Sequence, residues 1–183
     1  RRSSDLLGLR DAATIDFRLA EDGRIYFLEA NALPSLDQSA ALFAAGQREG
    51  WSYDKMVASI LSAAAVRLQL LPASGKTRPK QDPIRVGFTF NLKRSDAKLS
   101  GDAEAEYDSP MTIESIRKAI ESLGHEVVLL EANGELPSRL PEARVDVVFN
   151  IAEGLAGRNR EAQVPALCEL CGIPYTGSDA ATL

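Results

Sequence analysis

Residues Thr14 to Asn31 read T-I-D-F-R-L-A-E-D-G-R-I-Y-F-L-E-A-N. Two apolar-polar alternations flank Asp22-Gly23, a dipeptide that marks a tight hairpin turn. A two-residue turn there sets Glu21 against Arg24, Leu19 against Tyr26, Phe17 against Leu28 and Asp16 against Glu29. Side chains alternate across a sheet, so the register sorts them into two faces. Ile15, Phe17, Leu19, Tyr26, Leu28 and Ala30 form a core-like face. Thr14, Asp16, Arg18, Ala20, Ile25, Phe27, Glu29 and Asn31 form the other. Directly opposed carboxylates cost something like the ~0.2–1 kcal/mol that an opposite-charge pair would gain. A divalent cation would remove that cost. Asp16, Glu29 and Asn31 offer only oxygen ligands, which suits Mg2+ or Mn2+. The competing reading is a solvated acidic face relieved by Arg18 or by salt.

The pattern D-F-x(5)-G-x(5)-E-A-N-x-L-P, from Asp16 to Pro34, resembles the last strands of ATP-grasp ligases, in particular the D-alanine–D-alanine ligase branch. The resemblance implies that Asp16, Glu29 and Asn31 hold Mg2+ ions against the phosphates of ATP. It places Ser35 and Ser39 on the acyl side of the substrate.

The chain has 183 residues, 45% hydrophobic and 26% charged, which excludes a disordered chain. A net charge of −5 argues against a nucleic-acid or anionic-membrane surface. No apolar run approaches the ~20 residues of a transmembrane helix. No signal peptide is visible, so a cytoplasmic protein is the expectation. The chain begins at Arg1 without Met and has the look of an excerpt.

Beyond the hairpin, Pro34 breaks the strand and 36–45 reads as a short helix or loop. Ser52 caps a helix whose apolar stripe is Tyr53, Met56, Val57, Ile60, Leu61, Ala64 and Leu68. Leu71 to Pro83 holds three prolines and three basic residues, the composition of a linker. Ile84, Val86, Phe88 and Phe90 alternate as a strand. A polar stretch, 91–108, follows as a loop. Ser109-Pro110 opens a helix buried through Ile113, Ile116, Ile120 and Leu123. Residues 126–131 form a strand, 133–142 a loop with two prolines, 145–149 a buried strand, and 161–171 a helix. Such alternation describes a parallel α/β sheet whose ligands bind beyond the strands' carboxyl ends. The loops after Asn91 and from Asn150 to Arg160 lie there.

The run from Val145 to Ser178, ending G-I-P-Y-T-G-S, is similar to the N-terminal domain of the same ligases. The implied fold is α/β, α+β overall. Residues 1–71 are the C-terminal part of an ATP-grasp domain and 72–83 a linker. Residues 84–183 are a Rossmann-like parallel α/β pre-ATP-grasp domain. In one ligase the hairpin comes last; here it comes first. A tandem protein, with the end of one module joined to the start of the next, is the simplest account, and a circular permutation is the alternative. Either way the middle of a module is absent, and the 183 residues alone should not turn over.

This sequence departs from the family at several points. Thr14 stands where the branch has Arg, and Ser35 stands where it has Gly. Asn150 to Arg160 contains no His. Glu104, Glu106 and Asp108 are candidates by neighbourhood for the N-terminal catalytic Glu. Gly154 and Gly157 fit close backbone approach to substrate, or a plain turn. Cys168 and Cys171 read as buried thiols, and His125 as a surface turn residue. The implied reaction is ATP-dependent joining of a carboxylate and an amine through an acyl phosphate. Amino acids or peptides would be the substrates, with ATP and Mg2+ or Mn2+ as cofactors; no nucleic acid or membrane is expected as a partner, and a homodimer is left open. Two rival readings are a non-catalytic nucleotide- and metal-binding regulatory module and a structural unit whose acidic face never binds metal.

Overall fold

A computed structural model describes residues 7–70, 83–94 and 107–183. The residues 71–82 of the linker, the centre of the 91–108 loop, and Glu104 and Glu106 lie outside the described residues.

The first element is the hairpin, β1 (Thr14–Leu19) and β2 (Ile25–Asn31), paired antiparallel. Its turn differs from the expected one. The Ala20 N–H donates to the Arg24 carbonyl at 2.9 Å, enclosing three residues, and Gly23 closes the loop at φ +81°. Glycine adopts that left-handed conformation without a Cβ penalty. The extra turn residue shifts the pairing to Leu19–Ile25, Arg18–Tyr26 and Phe17–Phe27. A β-bulge beside Asp16 then restores the expected register, so Asp16 faces Glu29 and Thr14 faces Asn31. The Phe17 and Phe27 rings meet edge-on at 6.0 Å.

The face expected to be core is not buried. Phe17 is 59% exposed, Leu19 66% and Leu28 60%, with Ile15 and Tyr26 also open. Alternation identifies an apolar face but not what covers it, and no described element packs on this one.

After a loop come α1 (Ala41–Arg48) and α2 (Tyr53–Arg67). The first helix runs on through Gly46 to Arg48, beyond the expected end at residue 45. The second is as expected: the Ser52 hydroxyl accepts from the Lys55 N–H, and Tyr53, Met56, Val57, Ile60, Leu61 and Ala64 are buried. Full burial of each large side chain is worth about 1.5–3 kcal/mol.

The remaining elements are β3 (Arg85–Phe90), α3 (Pro110–Ser122), β4 (Glu126–Glu131), α4 (Leu136–Glu142), β5 (Val147–Asn150) and α5 (Gln163–Cys171). The three strands form a parallel sheet in the order β4-β3-β5. The stretch expected to be a proline loop contains α4 instead. Pro137 occupies the first turn, where a missing N–H costs nothing, and Leu136 and Leu140 are buried one turn apart.

Two apolar clusters flank the sheet. One joins Val86, Phe88, Val147 and Phe149 to α3 and also to α1 and α2. The other packs Leu130 and Val148 against α4 and α5, with Cys168 inside it. Both cysteines are free; Cys168 is fully buried, and burial pushes its thiol up to about 12, so it is inert as a nucleophile. His125 is half-buried, its Nδ1 enclosed without a partner among the described residues, and burial holds its pKa below the ordinary value.

Candidate functional site

Directly opposed residues of an antiparallel pair project to one side of the sheet. The bulge therefore keeps Asp16 and Glu29 together, with Asn31 and Thr14 two pairs further along, on the same face. Asn31 ends β2 and turns the chain: its Oδ1 accepts from the Leu33 N–H at 2.9 Å. These donors are all oxygen and suit a hard divalent ion. This end of the hairpin supplies only two carboxylates, and among the described residues no three His, Cys, Asp or Glu side chains lie close enough to hold a metal. A cation here would need further oxygens from a ligand.

The loop after Asn31 is organised around Asp37, which the sequence reading missed. Its Oδ1 accepts from the Ser39 N–H at 2.7 Å and the Ser39 hydroxyl at 2.6 Å, and its Oδ2 from the Thr112 hydroxyl at 2.7 Å. The Ser39 hydroxyl, the Ser39 N–H and Thr112 hold its carboxyl below the ordinary value. Ser35 accepts from the Asp37 N–H at 3.2 Å.

Asn31, Leu33, Ser35 and Asp37 form one wall of a cavity of about 460 Å3. The opposite wall comes from the sheet unit: Lys93, Tyr107 and Asp108 after β3, Ser109 and Thr112 at the start of α3, and Glu153 and Glu161 after β5. These positions lie beyond the carboxyl ends of parallel strands, where α/β sheets bind ligands. A shallower depression of about 260 Å3 adjoins it, bordered by Glu29, Asn31 and Glu161. Asn31 and Glu161 border both, so the hairpin's acidic end opens onto the cavity.

The cavity is acidic, with four carboxylates against Lys93. Burial, then the nearby Asp37, raises Asp108 to about 7. Burial, then Glu161 and Asp108, raises Glu153 to about 7. Two groups are thus poised to exchange protons near neutrality, a feature that clusters at functional sites.

Of the substrate-side residues expected from sequence, Ser35 lines the cavity. Ser39 acts through Asp37. Gly154 lies behind the wall: its carbonyl accepts from the Tyr107 hydroxyl at 3.3 Å and its N–H donates to Asn91 Oδ1 at 3.0 Å. Its φ is +77°, and a Cβ there would sit 2.1 Å from the Arg160 carbonyl oxygen. Gly157 is exposed and away from the cavity. Asp37, Glu153, Glu161 and Thr112 carried no sequence signal, because only the approach of distant segments brings them together. Asp108 was named by neighbourhood alone.

Residues 1–62 match the family model for the D-ala D-ala ligase C-terminus. A D-alanine–D-alanine ligase of Anaeromyxobacter is 47% identical over 60 residues, 33% of this chain and 19% of that protein. The ligase of Aquifex aeolicus is 40% identical over 82 residues, 44% and 28% of the two chains. An uncharacterized protein of Sinorhizobium fredii, y4sG, is 41% identical over 73 residues, 36% and 22%. The chain thus spans about a quarter of the length of the curated relatives it matches. No solved structure matches. Residues 1–62 are a D-alanine–D-alanine ligase-like ATP-grasp fragment.

Proposed function

We propose that this chain contributes the metal end and the amino-acid chamber of an ATP-dependent carboxylate–amine ligase. The product is an amide or peptide bond, made through an acyl phosphate. The supporting observation is the continuity of the Asp16–Glu29 pair, through Asn31, with a cavity walled by Asp37, Asp108, Glu153 and Glu161. Residues 1–71 are read as the end of an ATP-grasp domain, 72–83 as a linker and 84–183 as the N-terminal, pre-ATP-grasp type of domain. Among the described residues no helix is long and apolar enough to cross a membrane.

Asp16, Glu29 and Asn31 would hold Mg2+ or Mn2+, which in such ligases neutralises the phosphate charge of ATP. The other steps belong to the chain itself. The four carboxylates attract the ammonium end of an amino acid and orient it in the chamber. An amine attacks only after losing a proton. A carboxylate raised to about 7 is matched to take that proton at neutral pH, and Asp108 and Glu153 meet that condition. Ser35 and the Asp37 loop face the same space from the hairpin side.

Calorimetric titration of the 183-residue chain with Mn2+ tests the metal assignment. Uptake should fall at least tenfold in Asp16→Asn; equal uptake by both refutes it. ADP release by the full-length gene product, scored over pairs of amino acids, tests the reaction. Release that is indifferent to the amine refutes ligase activity. The isolated 183 residues should release no ADP. Thr14 and Ser35, in place of the family's Arg and Gly, favour a second reading, a regulatory module that binds nucleotide and metal without turnover. Mn2+-dependent ATP binding with no ADP release on any pair would select it.

A further inference from the structure

In the expected tandem arrangement each piece of this chain would serve a different active site. The packing argues otherwise. We infer that the residues before and after 71–82 build one chamber in cis, so that the hairpin piece serves the sheet unit that follows it in the chain.

Three kinds of contact carry this inference. The first is apolar: Met56, Val57 and Ile60 of α2 share one buried cluster with Ile113, Ile116 and Ile120 of α3. Val57, Ile116 and Ile120 are wholly inaccessible. An interface of fully buried aliphatic side chains resembles the inside of a domain, whereas contacts between freely moving domains are more polar. The second is a charge pair closed from both sides. Asp11, its side chain 3% exposed, accepts from Arg67 at 2.7 Å within the first piece. The same carboxylate accepts from the Gly177 N–H at 2.8 Å, and Arg67 donates to the Tyr175 carbonyl at 2.9 Å. A buried pair is stable only when its remaining hydrogen-bonding capacity is met, and here the second piece meets it. The third is the Asp37–Thr112 bond at 2.7 Å, in the cavity wall itself.

The consequence is functional. The carboxylates of the sheet unit and the metal face of the hairpin address one bound ligand. The chain therefore has the connectivity of a permuted site, with the segment matching the ligase C-terminus placed ahead of the unit it completes. This geometry stands without the ligase reading; only the identity of the ligand rests on that reading.

The test uses the full chain with a protease site placed within 71–82 and Gln38→Cys with Ser115→Cys, positions whose side chains meet at 3.3 Å away from the cavity wall. After folding, the chain is cut, treated with a short bis-maleimide and sized. The expected result is co-elution of the two halves and a cross-link joining them within one molecule, absent when only Cys168 and Cys171 are present. A cross-link confined to dimers, and lost on dilution, would show pairing in trans and overturn the inference. Halves that separate after cutting would also overturn it. If the double variant fails to fold, co-elution of the cut wild-type halves decides the matter. Separation with Mn2+ uptake intact would sink this inference alone. Co-elution without Mn2+ uptake would sink only the metal assignment.

Discussion

Replacing Asp108 with Asn should stabilise the protein, and the gain should grow with pH. Asp108 stands in the cavity wall, half-buried, within the field of the charged Asp37. Its carboxyl rises from 3.8 to about 7 on folding. A carboxyl raised by folding binds its proton more tightly in the native state. Stability then falls as pH climbs from the unfolded value to the folded one, and the penalty is constant above that. The rise from 3.8 to about 7 corresponds to a ceiling of about 4 kcal/mol at 1.36 kcal/mol per tenfold change. Water entering the open cavity reduces this to about 1–3 kcal/mol. The Asp108 backbone bonds, N–H to the Asn91 carbonyl and carbonyl from the Lys93 N–H, survive the substitution. A chain of this size moves its Tm by roughly 2–4 °C per kcal/mol. Thermal unfolding of both proteins at pH 4, 5, 6, 7 and 8 should give no difference at pH 4 and a plateau of about 2–12 °C in favour of the variant above pH 7. A gain that is flat across pH, or a less stable variant at pH 8, would refute the assignment of Asp108 as a strained acid.

Arg67→Met leaves the Asp11 carboxylate enclosed with one backbone donor and should cost about 2–4 kcal/mol, read as a lower urea midpoint. Gly154→Ala forces a Cβ against the Arg160 carbonyl at a left-handed φ; it should cost about 2–3 kcal/mol and loosen the 153–161 loop, seen as faster amide exchange there. Leu28→Thr, on the open hairpin, should change stability by less than about 0.5 kcal/mol yet reduce light scattering and dye binding at high concentration. An equal loss from Leu28→Thr and Arg67→Met would show that the hairpin face is covered in solution.

What the sequence made legible is what short-range chemistry decides. Ser52 and Ser109 cap their helices as read, because a hydroxyl three residues ahead of a free N–H needs no distant partner. Strand β4 fell at its expected residues, and β3 and β5 close to theirs; β3 and β5 are buried on both faces, where a run of apolar residues has few other uses, while β4 keeps Glu126 and Leu129 exposed. The errors arose where two local rules compete or where tertiary packing overrides both. Pro137 and Pro141 signalled a loop, but Leu136 and Leu140 find a pocket and a helix forms around them. The hairpin turn took one more residue than Asp22-Gly23 suggested, and the bulge absorbed it before Asp16. Most of the cavity's walls were not legible. Asp37, Thr112 and Glu153 lie far apart in sequence, and no spacing rule connects them.

The retained strain says what the site is built to meet. Asp16 opposes Glu29 across two strands, Asp108 stands in the field of Asp37, and Glu153 in that of Glu161 and Asp108. Each arrangement is worse for the empty fold than an amide at the same position would be. A fold keeps such repulsions where a ligand of opposite charge relieves them. The two groups of acids differ in exposure, and that difference separates their ligands. The hairpin pair is open to solvent, so its carboxylates stay hydrated until a hard ion replaces that water with its own charge. The cavity acids are partly desolvated and two of them reach neutrality near pH 7, which suits a group that brings a proton and can give it up. An ammonium does so and a divalent metal does not. Asn31 borders both spaces, so under the proposed ligase reading the cation and the amine would meet across one residue.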